Sequence, residues 1–302
     1  MSKITYVPRD FGDAALTMIE QANQIITVYQ AQDLVLTLRQ LYYRFVADAA
    51  IPNTERSYKR LGSIINDARL AGLIDWEAIE DRGRSLNKPA SWRNPGAIID
   101  AAASSYALDL WAGQDHRVEV WVEKQALESV VGQACDPLGV PYFACKGYVS
   151  QSEMWRASLR FREYQRRGAT PIVIHLGDHD PSGIDMTRDI ADRLAIFRVP
   201  LAVKRIALNM DQVEEHQPPP NPAKLTDSRC AGYIERFGDE SWELDALEPA
   251  TLRDLITGAV EEHLDRDTWQ AVHDQQEAER SLLQRAAERW DDIVADLEEE
   301  TP

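Results

Sequence analysis

The spacing of apolar residues changes near residue 117, and that change divides the chain. Before it the period is helical. Residues 10–31 and 34–48 repeat apolar positions at helical spacing, the latter through Leu34, Leu38, Leu41, Tyr42 and Phe45. Residues 51–74 run through Tyr58, Leu61, Ile64, Ile65 and Leu70 to Gly72, with Asn53 and Thr54 as candidate N-caps. A short, partly alternating stretch follows (74–84), then the Ser/Asn/Pro-rich segment SLNKPASWRNP (85–95). Helices followed by a short extended wing predict a winged-helix DNA-binding unit over 1–95. A helix over 96–113 leads out of it.

Beyond 117 short β-branched runs alternate with helical stretches. VEVWVE (118–123), VPYFAC (140–145), PIVIHL (171–176) and LAVKRIAL (201–208) read as strands. Residues 124–134, 150–168 and 182–197 read as helices. This alternation predicts an α/β domain over 96–248, a parallel sheet flanked by helices. A proline-rich loop, QPPPNP (217–222), precedes an acidic helical C-terminal region over 249–302.

Composition narrows the class. The 302 residues are 44% hydrophobic and 27% charged, enough for a sizeable core. No apolar stretch approaches the ~20 residues of a membrane span. The N-terminus carries no apolar core of a signal peptide. Cys135, Cys145 and Cys230 lie far apart without a CxxC pair, so neither disulfides nor zinc is expected, and a cytoplasmic location is. Net charge is −17, which taken whole argues against nucleic acid. Residues 240–302, however, hold 19 acidic and 5 basic residues, leaving 31 acidic against 28 basic elsewhere. A DNA-facing surface on the first 239 residues is therefore permitted.

The stretch VIHLGDHDPSGID (173–185) carries the candidate chemistry. Asp178 stands at the carboxyl end of one strand and Asp180 in the following turn, while Glu123 ends an earlier strand. Ligands bind at that edge of an open parallel sheet. Three carboxylates converging there would suit Mg²⁺, or Mn²⁺, able to stabilise charge on a phosphodiester. Singly, each reads as a cap or turn residue. An aspartyl-phosphate chemistry of the haloacid-dehalogenase kind fits less well, because the pair comes late in the domain. His179, alternating away from its neighbours, is expected to face solvent. No phosphate-binding glycine loop is present, so no ATP site is expected.

Glu123-Lys124-Gln125-Ala126 and Asp178-His179-Asp180-Pro181-Ser182-Gly183 resemble the TOPRIM domain. The likeness is to the version in the A subunit of type IIB topoisomerases (topoisomerase VI) and in the meiotic double-strand-break transesterase. CKGYVSQ (145–151) resembles the Gly-Lys-Gly-Tyr-Pro segment of that family, with Cys145 in place of the first glycine and Val149 in place of the proline. WELDALEP (242–249) is similar to a late Glu-(Ile/Leu)-Glu-Ala-Leu segment, and TLRQLYYRF (37–45) to the segment bearing the nucleophile. The resemblance covers roughly residues 34–250 and makes 96–248 a TOPRIM domain. It implies that Tyr43 attacks DNA to leave a five-prime phosphotyrosine, assisted by Arg39, with Glu123, Asp178 and Asp180 holding Mg²⁺. It further implies a homodimer, in which one copy's tyrosine works at the other's metal site, and leaves open whether a separate B-type ATPase subunit takes part. A phenol of pKa ~10 is a poor nucleophile at neutral pH, so an arginine one helical turn away would help. DNA contacts are expected from Lys59, Arg60, Arg82, Arg84, Lys124 and Lys146, with Arg56, Lys88 and Arg93 nearby. Two other readings stay open: a metal-dependent nuclease in which water attacks, and a DNA-binding protein without catalysis.

Overall fold

The computed structural model describes residues 3–299, apart from 33, 81–88, 224–226 and 228. The N-terminal unit comprises α1 (Asp13–Gln30), β1 (Leu36–Thr37), α2 (Leu38–Ala47), α3 (Glu55–Leu70) and β2 (Ile79–Glu80). Helix α2 starts later than the apolar period suggests because Thr37 and Gln40 form a capping box. The Thr37 hydroxyl accepts from the Gln40 amide at 3.2 Å, and the Gln40 side chain accepts from the Thr37 amide at 2.8 Å. Thr54 caps α3 by accepting from the Ser57 amide. Ile19, Ala22 and Ile26 of α1 meet Leu41 and Phe45 of α2 and Leu61 and Ile65 of α3 in one buried cluster. Strands β1 and β2 pair in parallel, Leu36 with Ile79 and Thr37 with Glu80. The unit shows no antiparallel hairpin of the kind a wing is made from among its described residues. Arg82, Arg84 and Lys88, expected on that wing, lie outside them.

Helix α4 (Pro95–Ser105), capped by Asn94, ends well before residue 113. The chain then turns Leu110 and Trp111 into the main core. A parallel four-stranded sheet follows, built from β3 (His116–Val122), β4 (Tyr142–Ala144), β5 (Thr170–Leu176) and β6 (Ala202–Ala207) in the order β4-β3-β5-β6. Connecting helices are α5 (Glu128–Cys135), α6 (Gln151–Arg166) and α7 (Pro181–Ile196). The alternation read from sequence is thus the observed architecture: an α/β fold with helices on both sheet faces.

Strand periodicity sorts the side chains. Val118, Val120 and Val122 of β3 and Ile174 and Leu176 of β5 share a core with Val130 and Val131 of α5. Trp121 and Val173 point the other way, against Met154 and Phe161 of α6 and Ile190 and Leu194 of α7. Two polar groups occupy that second face. Glu119 accepts from Arg160 at 3.0 Å twice and from the Trp121 indole at 3.0 Å. His175 bonds the Thr187 hydroxyl at 2.8 Å.

The rest of the chain is α8 (Met210–His216), β7 (Asn221–Pro222), α9 (Cys230–Phe237), β8 (Glu240–Ser241), α10 (Pro249–Glu261), α11 (Arg266–Glu288) and α12 (Trp290–Glu299). The acidic C-terminal region is more than an appendage. Leu252, Ile256, Ala259 and Val260 of α10 complete the main core, and α11 packs along α4. No helix among the described residues is long and apolar enough to cross a membrane.

His175 sets a measurable pH dependence. Burial, and then the charge of Arg205, push its pKa from 6.5 down to about 3. Below pH 6.5 the unfolded chain takes up a proton at this position and the folded chain does not. Stability is therefore lost as pH falls from 6.5 toward 3, at about 1.4 kcal/mol per pH unit. His175→Gln removes this component while keeping a group able to bond Thr187. Urea unfolding at pH 7 and pH 5 should show the variant's deficit shrinking by roughly 2 kcal/mol at the lower pH. A deficit equal at both pH values would mean that His175 titrates normally in the folded chain.

Candidate functional site

Strand order places the site. The chain passes from β3 outward to β4, then returns to β5 on the opposite side of β3. Strand order reverses between β3 and β5, and it is at the carboxyl ends of strands at such a point that α/β folds bind ligands. Glu123 follows β3 and Asp178 follows β5. The Glu123 amide donates to the Leu176 carbonyl at 2.8 Å, and the Asp178 amide donates to Glu123 Oε2 at 2.9 Å.

The DHDPSG turn has a steric logic. Asp180 is the N-cap of α7, accepting from the Gly183 amide at 2.6 Å and from the Ser182 hydroxyl at 2.9 Å. Pro181 takes the first helical position, where no amide is needed. A Cβ on Gly183 would lie 2.2 Å from the Asp178 carbonyl oxygen, so only glycine lets the helix start this close to the strand end. Beneath the turn Arg205 is half-buried and donates to the carbonyls of Gly177, Asp178, Gly183 and Leu208 at 2.7–3.0 Å. Burial pushes its pKa down to about 10.

His179 corrects the expectation of a solvent-facing side chain. It is 1% exposed. Its Nδ1 lies 2.8 Å from the Tyr233 hydroxyl, and its ring packs against Tyr233, Phe237 and Trp242. The backbone pairs with Trp242 in both directions, which turns the histidine under the 242–245 segment. Alternation along an extended segment assumed open solvent on that side, and a later part of the chain fills it.

Lys124 is the centre of the arrangement. Its Nζ lies 2.9 Å from each of Asp178 Oδ1, Glu243 Oε2 and Asp245 Oδ1. Asp178 Oδ1 also accepts from the Leu244 amide at 2.8 Å. Expected on a DNA-facing surface, Lys124 instead points inward among three carboxylates. On the far side Arg39 pairs with Glu243 and, through Nε at 3.1 Å, with Asp245. The Arg39 guanidinium stands 5.8 Å from the centre of the Tyr43 ring, and the Tyr43 hydroxyl faces Glu243 and Arg39. The WELDALEP segment thus bridges the tyrosine of the N-terminal unit to the strand ends of the α/β unit.

The charges decide what each group can do. Glu123 is pushed up to about 7, first by burial, then by the charge of Asp178, with Asp180 adding to it. Burial works to raise Glu243, but Lys124 and Arg39 outweigh it and hold that carboxyl down to about 2. Tyr43, 4% exposed, is pushed well above the usual phenol range by burial and then by Asp245 and Glu243; Arg39 opposes without prevailing. Arg39 thus acts on the phenol in the expected direction, lowering its pKa, but by less than burial and the two carboxylates raise it.

These contacts bear directly on the implied Mg²⁺. Glu123, Asp178 and Asp180 are hard oxygen donors and repel one another, as a cation site requires. One oxygen of each, however, is engaged: Glu123 Oε2 by the Asp178 amide, Asp178 Oδ1 by Lys124 and the Leu244 amide, and Asp180 Oδ1 by the Gly183 amide and Ser182. Among the described residues no three His, Cys, Asp or Glu side chains stand together at ligand spacing. The three-carboxylate cage is not assembled, and Lys124 supplies the positive charge beside Asp178.

The remaining expected DNA contacts lie apart. Lys59 and Arg60 are exposed on α3, Lys59 paired with Glu55 at 2.7 Å. Lys146 is exposed in a left-handed turn, φ 58°. Sequence reasoning gave no role to Glu243, Asp245 or Arg205. The acidic pair had a signal in WELDALEP, whereas Arg205 had only a charge inside the apolar run of β6. No family model, curated protein or solved structure matches the chain, so its reading rests on these residues.

Lys124→Met leaves Asp178 without its cation and the buried Asp245 with Arg39 alone. Removing one partner of a buried ion cluster costs about 3–5 kcal/mol, and the urea midpoint should fall accordingly. Adding Asp245→Asn should restore part of the loss. A Lys124→Met protein as stable as wild type would mean that the cluster is solvated.

Proposed function

We propose that the chain cleaves DNA by tyrosine transesterification, as a TOPRIM-type enzyme with Tyr43 as nucleophile. One observation carries the reading. Tyr43, Arg39, Glu243, Lys124 and Asp178 form one continuous polar network that joins a tyrosine-bearing helix to the ligand-binding edge of a parallel sheet. In the proposed step the Tyr43 oxygen attacks phosphorus, and an O–P bond forms as the bond to the three-prime oxygen breaks. The phenolic proton passes to Glu243, and the departing oxygen takes a proton from water. Arg39 stabilises negative charge on the phenolate and on the phosphoryl oxygens. A DNA phosphate presented to Tyr43 would draw Arg39 from its carboxylates, since a guanidinium binds a phosphate as well as a carboxylate. That exchange relieves Glu243 of one of the charges that hold it down, so it becomes a stronger base for the phenolic proton only when DNA is present.

Tyr43 and the acidic cluster meet within one chain, so cutting a single strand needs no second copy. A homodimer would extend the reaction to both strands. No step is routed through a metal ion. A second reading, hydrolysis by water, is favoured by the burial of Tyr43, which also suits a packing role.

Supercoiled plasmid incubated with the protein, in Mg²⁺, Mn²⁺ or EDTA, then quenched with detergent, separates the readings. Transesterification yields nicked DNA that enters the gel only after protease treatment. Tyr43→Phe should abolish that product, and Arg39→Ala should reduce it by about 100-fold, the scale of losing one charge-stabilising donor. Free-ended nicks that persist in Tyr43→Phe would establish hydrolysis instead.

A further inference from the structure

A cleft of about 280 Å³ opens beside Tyr43 and belongs to no step described so far. Its walls are the rings of Tyr42, Tyr43 and Tyr58, with Asn53 and Asn221 among the other lining groups and Arg39 and Glu243 on the Tyr43 side. The rings form an edge-to-face chain: Tyr42 stands 5.4 Å from Tyr43 and 5.3 Å from Tyr58. Asn53 is held firmly. It accepts from the Tyr42 hydroxyl at 2.9 Å and donates to the Pro220 carbonyl at 3.0 Å and to Asn221 Oδ1 at 2.9 Å. These bonds cross from the N-terminal unit to the α/β unit, so the cleft is a seam with fixed walls.

The lining limits the occupant. Arg39 is paired with Glu243 and Asp245, and Glu55 with Lys59, so the lining's charges are matched within the protein and do not single out an ion as the occupant. Aromatic walls and carboxamides suit a neutral planar group with polar edges. The size, just below the ~300–1,000 Å³ of small-molecule pockets, fits one such ring rather than a larger molecule. Arg56, Lys59 and Arg60 are exposed on α3, the helix that starts at the rim, where a phosphate backbone would pass.

We propose that this cleft receives one unstacked base of the DNA substrate, from the nucleotide flanking the phosphate presented to Tyr43. The inference rests on the DNA-cleavage reading and names what that site holds. A base withdrawn from the stack and seated on tyrosine rings would fix the strand's register against the nucleophile. DNA with an unpaired nucleotide meets this requirement without the cost of opening a base pair.

The test is binding by the full-length protein in EDTA, which keeps it independent of cleavage. Fluorescent duplexes, either fully paired or carrying one bulged nucleotide, are titrated at fixed salt. Stacking of one base predicts about tenfold tighter binding of the bulged duplex. Tyr58→Phe keeps a ring and should keep that ratio; Tyr58→Leu fills similar space without a ring and should bring it toward one. Urea midpoints check that both variants fold. Equal binding of the two duplexes, no binding of either, or a ratio that survives Tyr58→Leu overturns the proposal. A tenfold ratio lost in Tyr58→Leu supports it even where Tyr43→Phe still cuts, an outcome that would sink transesterification alone.

Discussion

A single ammonium group organises this molecule. Lys124 comes straight after Glu123 at the end of β3, and reaches carboxylates from the turn after β5 and from the 243–245 segment. Burying three carboxylates together is prohibitive without compensating charge. The fold answers with Lys124 at the centre and Arg39 on the outer side. Because Arg39 belongs to the N-terminal unit, the same charge balance that settles the strand ends also docks one unit on the other. Glu248 repeats the device nearby, meeting both Arg44 and Tyr29.

Much of the α/β unit was legible in the sequence because its strands are short, β-branched and buried on both faces. Such runs admit few alternatives between helical stretches. VEVWV and PIVIHL therefore gave strand positions within a residue or two, and with them Glu123 and Asp178 at adjacent ends. The N-terminal unit was less legible. Its helices show in the apolar spacing, but the pairing of β1 with β2 joins residues far apart in sequence and leaves no local pattern. His179 shows the same limit: its burial depends on Trp242, Tyr233 and Phe237, which nothing in the DHDPSG turn announces.

The candidate site was legible as a set of residues and not as a set of contacts. Asp180, read as one of three converging carboxylates, caps a helix, which is what aspartate before Pro-Ser-Gly also does for purely local reasons. Lys124, read as a contact for phosphate, lies inside. Sequence spacing brings residues to one edge of a sheet; it does not say which charges neutralise which. That choice is made by burial, which favours the closest pairs and leaves Tyr43 with carboxylates that hold its proton in place.

The reach of these ion pairs along the chain bears on how the protein folds. Arg39 and Glu243 are 204 residues apart, and Lys124 and Asp245 are 121 apart. Contacts of such separation form late, after the chain entropy of closing the intervening segments has been overcome. Each unit must therefore collapse around its own apolar cluster while carrying charges that have no partner yet. The Lys124 cluster closes within the α/β unit, and Arg39 and Tyr43 join it only when the two units dock, so a chain that has formed its sheet and its helical bundle separately still has no complete site.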